Sequence, residues 1–134
     1  MTFTYCNDLS ELARLATDLE SFGEAHQLTP ALVHAFNLCL DEVLTNIISY
    51  GYDEPAPHAV SITLSCDNGT VTAVVTDHGK PFNPLEEAPE PDLDADIEDR
   101  PIGGLGVFFL KQMMDDVRYE RMGHANQLTL SKKG

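Results

Sequence analysis

PALVHAFNLCLDEVLTNIISY, residues 30–50, decides how the rest of the chain is read. Thr29-Pro30 opens it as a helix, with proline at the first helical position, where its missing N–H costs nothing. Leu32, Phe36, Cys39, Leu40, Val43, Leu44 and Ile47 then form one apolar stripe at helical spacing. The pattern stops at Tyr50-Gly51. At the helical repeat, Glu42 and Asn46 lie roughly 40° apart on one edge of that stripe, while Asp41 points to another side. A carboxylate and a carboxamide one turn apart can hold a hydrated Mg²⁺ and orient a hydroxyl or a water. On its own, E-x-x-x-N is an ordinary solvated helix edge.

Working outward, Thr2 to Cys6 alternates as a first strand. Asn7 or Asp8 is expected to cap a helix with Glu11 near its third position, and Leu9, Leu12, Leu15, Ala16 and Leu19 give its apolar face. That helix should end near Gly23 or in the following HQLTP. Beyond residue 50, Val60, Ile62, Leu64 and Cys66 share one face of a strand. Asp67-Asn68-Gly69 is a hairpin turn, and Val71, Ala73 and Val75 line the return strand into Asp77-His78-Gly79. Next comes an acidic, proline-rich loop from Pro84 to Arg100, then a third helix from Val107 to about Met114. Val117 to Arg121 and Asn126 to Ser131 read as a final strand pair turning at Gly123-His124. This order predicts an α+β fold: one domain over residues 1–134, a two-layer α/β sandwich of a mostly antiparallel sheet with helices on one face.

Composition narrows the function. Twenty-two acidic residues against eight Lys and Arg leave a formal net charge of −14. Such a chain repels nucleic acid and anionic membrane and attracts basic partners. No apolar run approaches the roughly 20 residues of a membrane span, and MTFTYCNDLSE lacks the basic-then-apolar pattern of a secretory signal. The cytoplasm is the default expectation. Cys6, Cys39 and Cys66 show no zinc or disulfide spacing and are expected to be buried, reduced thiols. The five histidines lack metal-ligand spacing and are expected at the surface or behind other ligands.

Two further motifs carry chemistry. In Asp77-His78-Gly79, at a strand end before Pro81-Phe82, a carboxylate can accept an exocyclic amine of adenine, and glycine lets a base approach the backbone. In Gly103-Gly104-Leu105-Gly106, before a helix, backbone N–H groups can crowd an anion. This run is neither a P-loop nor a Rossmann fingerprint. Singly, the first is a common turn and the second a flexible joint. Their order is what matters: E-x-x-x-N, then D-x-G, then a glycine-rich helix start. It is the box arrangement of the GHKL (Bergerat) ATPases. DEVLTNIISYGY, DHGKPFNP and RPIGGLGVFFLKQMMDDVRYER resemble the RsbW-like branch of anti-sigma factors and serine-protein kinases over nearly the whole chain.

That resemblance implies roles. Glu42 would be the general base, Asn46 the Mg²⁺ ligand, and Asp77 the adenine acceptor with Gly79 beside it. Gly103, Gly104, Leu105 and Gly106 would line the nucleotide, with Gly104 and Gly106 near the phosphates, and the stretch from Pro84 to Ile102 would supply much of a lid over ATP. The sequence departs from the family at Asn83, where a second aspartate is usual, and at Tyr50. No conventional phosphate-binding lysine is visible, and Lys80 and Arg100 read equally well as surface cations. The function implied is an ATP- and Mg²⁺-dependent serine/threonine kinase acting on an anti-anti-sigma (STAS) protein, with a sigma factor as a further partner, no nucleic acid or membrane contact, and a homodimeric state. The alternative is an ATP-responsive binding module with little catalysis. Retention of both Glu42 and Asn46 favours the kinase.

Overall fold

Strand pairing builds the molecule around one face. A computed structural model describes residues 1–50, 58–79 and 110–133. Within them lie β1 (Thr2–Cys6), α1 (Glu11–Ala25), α2 (Pro30–Tyr50), β2 (Ala59–Asp67), β3 (Thr70–Asp77), β4 (Asp116–Met122) and β5 (Ala125–Lys133). The strands form one antiparallel sheet in the order β1-β2-β3-β5-β4. Alternation decides what is buried. Tyr5, Val60, Ile62, Leu64, Val71, Ala73, Val75, Leu128 and Leu130 are buried and join the core with α1 and α2. The opposite face carries Thr4, Ser61, Thr63, Thr72, Thr76, Gln127 and Thr129. An antiparallel sheet with one covered and one polar face is the expected two-layer α+β arrangement.

α2 is the core helix. Its expected stripe is buried except for Ile47, which packs against the cluster as a partly buried residue, and Ala35 joins it. The Thr29 hydroxyl accepts the Leu32 N–H at 3.2 Å, which satisfies one of the donors left open at the helix start. By length and composition alone, Pro30–Ser49 passes as a candidate membrane span, with a mean hydropathy of 1.3. The sequence reading had no such run. Here its apolar side is packed against the sheet, with Leu40 and Leu44 fully buried.

α1 starts differently from the expectation. Its N-cap is Ser10, with no side-chain capping bond. Asp8 instead accepts the Ser10 N–H at 2.9 Å in a local turn, and Glu11 accepts the Cys6 N–H at 3.1 Å. Asp8 is held below its ordinary range by these bonds from Ser10. The helix also runs through Gly23 to Ala25. Gly23 is an approach point: a Cβ there would lie 2.5 Å from Val33 Cγ2 of α2.

Both hairpin turns fall where the sequence puts them. Asn68 and Gly69 take φ of 51° and 80°, the paired positive values of a tight two-residue turn, and Gly123 takes 60°. Residues 110–113 are helical, and the Met114 N–H donates to the Leu110 carbonyl at 3.0 Å. This is the end of the expected third helix; its start at Val107 lies outside the described residues. The cysteine expectation holds only in part: Cys39 is buried and its thiol is pushed up to about 11 by burial, Cys66 is half-buried, and Cys6 is exposed. Cys6 falls on the open face of an edge strand, so its apolar context in sequence does not bury it.

Candidate functional site

Two side-chain clusters among the described residues hold the candidate site residues. The first is on α2. Glu42 and Asn46 are both half-buried beside the fully buried Leu44. Asn46 lies one helical turn from Glu42, close enough for its carboxamide to favour the ionised carboxyl. An amide NH₂ can donate to a carboxylate and leave its oxygen for another partner. The Glu42 carboxyl is raised above the ordinary carboxylate range, chiefly by burial; the nearby Asn46 carboxamide opposes this and the negative Asp41 adds to it. Partial burial on the edge of the core stripe makes this more than a solvated helix edge.

The second cluster is at the end of β3. Asp77 continues the face of Val71, Ala73 and Val75 and is 5% exposed. A buried carboxylate needs partners. Its Oδ1 accepts the Gly79 N–H at 2.8 Å and the Asn126 Nδ2 at 3.1 Å. Asn126, itself buried, stands opposite Asp77 in the β3–β5 register. Its Oδ1 in turn accepts the Tyr119 hydroxyl. From β4, Arg121 donates Nη1 to the Gly79 carbonyl at 2.8 Å and Nε to the Gly123 carbonyl at 3.1 Å. The D-x-G turn is thus gripped from two strands that follow it by more than 35 residues. Both bonds to Asp77 fall on Oδ1, which leaves Oδ2 with acceptor capacity among the described residues.

Sequence reasoning named Glu42, Asn46, Asp77 and Gly79; the structure sets the first two one turn apart on α2 and joins the last two by a hydrogen bond. It missed Asn126, Tyr119 and Arg121. The available signal was a polar Asn at the head of an otherwise alternating apolar strand, whose partner only the register reveals. Gly103, Gly104, Leu105 and Gly106 lie outside the described residues, as do Lys80, Asn83, Arg100 and the whole stretch from Pro84 to Ile102.

With this geometry in hand, comparison with known proteins is informative. The pattern of the histidine kinase-like ATPase domain matches residues 6–132. The chain belongs to this family. ATP binding follows from that membership. The serine/threonine-protein kinase BtrW of Bordetella bronchiseptica is 30% identical over 128 residues, 92% of this chain and 89% of that protein. An anti-sigma F factor of Heyndrickxia coagulans is 32% identical over 96 residues, 70% of this chain and 64% of that protein. The serine-protein kinase RsbW of Halalkalibacterium halodurans is 31% identical over 88 residues, 63% of this chain and 53% of that protein. Two of these three relatives carry protein-kinase names, and this chain is an ATP-dependent protein kinase of the same family. In fold it is similar to the RsbU and RsbW domains of a Mycobacterium tuberculosis protein, with a TM-score of 0.68 at 13% identity over 99% of this chain and 31% of that one. A histidine kinase domain from Erythrobacter litoralis gives 0.58 at 17% identity over 93% and 60%.

Proposed function

We propose that this kinase transfers the γ-phosphoryl group of ATP to a serine or threonine of an anti-anti-sigma protein of the STAS type. In the same cycle it holds a sigma factor when the antagonist is absent, and it works in the cytoplasm. The observation that carries the reading is the half-buried Glu42 carboxyl with Asn46 one turn further along the edge of α2. A base for a serine hydroxyl must be placed within hydrogen-bond reach and works best with a pKa nearer neutrality than that of a solvated glutamate. Burial moves Glu42 in that direction. Asn46, one turn from Glu42, offers a carboxamide oxygen. That donor suits Mg²⁺, which prefers oxygen ligands and takes the rest of its shell from water and phosphate. Bound there, the ion would neutralise phosphate charge; the protein's own part is to fix the acceptor hydroxyl and take its proton at Glu42.

Asp77 supplies the adenine end. With both of its bonds on Oδ1, its Oδ2 would accept the 6-amino group, and Gly79 has no side chain to keep the base away. Gly103, Gly104, Leu105 and Gly106 would receive the phosphates on backbone N–H groups. The test is incubation with γ-labelled ATP, Mg²⁺ and a candidate antagonist protein, followed by mapping of the phosphorylated residue. Transfer of one phosphoryl group to a single serine or threonine is expected. Antagonist capture with no transfer over many hours would replace the kinase with an ATP-responsive binding module.

A further inference from the structure

The Asp77 carboxylate is set by a chain of groups that reaches back into the final hairpin. We propose that Asn126, itself set by Tyr119, is a positioning residue that fixes how Asp77 meets the base and thereby gives the site its preference for a 6-amino purine. The inference rests on the reading of Asp77 as the adenine acceptor.

The polarity of the chain is forced. An ionised carboxylate only accepts, so the Asn126 amide must turn its nitrogen toward Asp77. The Nδ2···Oδ1 distance is 3.1 Å. The amide oxygen then points the other way, where the Tyr119 hydroxyl donates to it. Flipping the amide would set oxygen against oxygen at Asp77. The carboxylate sets which way the amide faces, the Tyr119 hydroxyl tethers the amide's far end, and the amide and the Gly79 N–H together hold Oδ1. With two donors on one oxygen, rotation of the carboxyl group is opposed and Oδ2 keeps one direction. Arg121 steadies the other side of the turn through the Gly79 carbonyl. An acceptor-only oxygen so held welcomes an amino group at purine position 6 and repels the oxo group of guanine. All three strands involved are consecutive in the sheet, and Asp77, Asn126 and Arg121 follow one another in register. Asp77 and Asn126 are both buried, which raises the cost of any misdirected polar atom.

The probe is a matched pair of nucleotides: ATP and the triphosphate of purine riboside, which lacks only the 6-amino group. Binding of each is titrated to the intact protein and to Asn126→Ala, Tyr119→Phe and the double variant. Wild type should bind ATP roughly 10- to 100-fold more tightly than the analogue, the range expected for a hydrogen bond to a charged group. Asn126→Ala should lose about tenfold toward ATP and less than about twofold toward the analogue, so the preference collapses. Tyr119→Phe, which removes a single oxygen, should lose about threefold of the preference, and the double variant should be no worse than Asn126→Ala alone. A preference left intact in a folded Asn126→Ala or Tyr119→Phe protein overturns the proposal, as does an equal loss toward both nucleotides, which a purely structural role would give. If wild type binds both nucleotides equally, the reading of Asp77 fails first, and the two failures are told apart by that control.

Discussion

At the scale of single residues, function and stability pull in opposite directions at Glu42. Burial disfavours its ionised form, so in the window between its ordinary and its raised pKa the folded state binds more protons than the unfolded one. Stability then falls as pH rises through that window. Glu42→Gln keeps the shape and an acceptor for Asn46 and removes the buried charge, so its melting temperature at neutral pH should equal or exceed that of wild type. Thermal unfolding of the two proteins checks this, and a clear drop would mean that Glu42 is structural. The same shift fixes a pH profile. A base acts when ionised, so phosphotransfer should fall on acidification at a pH above the value of about 4.3 that is usual for glutamate. A rate–pH profile with its acid limb at the ordinary value would remove burial as the tuning device. Asn46→Ala should abolish the Mg²⁺-dependent tightening of ATP binding, because the carboxamide oxygen is lost. Calorimetry with and without Mg²⁺ measures it; an unchanged Mg²⁺ effect would free Asn46 of that role.

Among the elements, α2 and the β2–β3 hairpin were legible in the sequence for physical reasons. A stripe of seven apolar residues at helical spacing can be buried on only one side, and Asn68-Gly69 takes the positive φ pair that such a turn demands. The start of α1 was not legible. Asn7, Asp8 and Ser10 all offer capping oxygens within four residues, and the competition is settled by Asp8 turning onto the Ser10 N–H. The grip on Asp77 was hidden as well, since it depends on the β3–β5 register, which pairs residues 49 apart in sequence. Gly23 shows how an element's packing can rest on one missing atom. Alanine is the better helix former, yet its Cβ would press on Val33 Cγ2, a branched side chain with little freedom in a helix. Gly23→Ala should therefore destabilise the protein by about 1–3 kcal/mol, as overpacking does elsewhere. Denaturant unfolding gives the number, and a variant as stable as wild type would show that α1 can move off α2 without cost.

On the scale of the whole molecule, one core serves both layers. Leu40 and Leu44 bury one side of α2 in the core, and Glu42 and Asn46 stand on its half-buried edge. The sheet carries the second cluster at the C-terminal end of β3, clamped by β5 and β4. Sequence pattern reached this far because the residues come in a fixed order along the chain, while the glycine-rich segment expected between the halves lies outside the described residues. The central claim is that the α2 cluster performs phosphoryl transfer and does not merely bind nucleotide. Single-turnover transfer from saturating Mg·ATP to the antagonist protein, wild type beside Glu42→Gln, tests it most directly. The account predicts a rate roughly 10²- to 10⁴-fold lower in the variant, with ATP affinity changed by less than tenfold. A Glu42→Gln protein that phosphorylates its partner at the wild-type rate would contradict it.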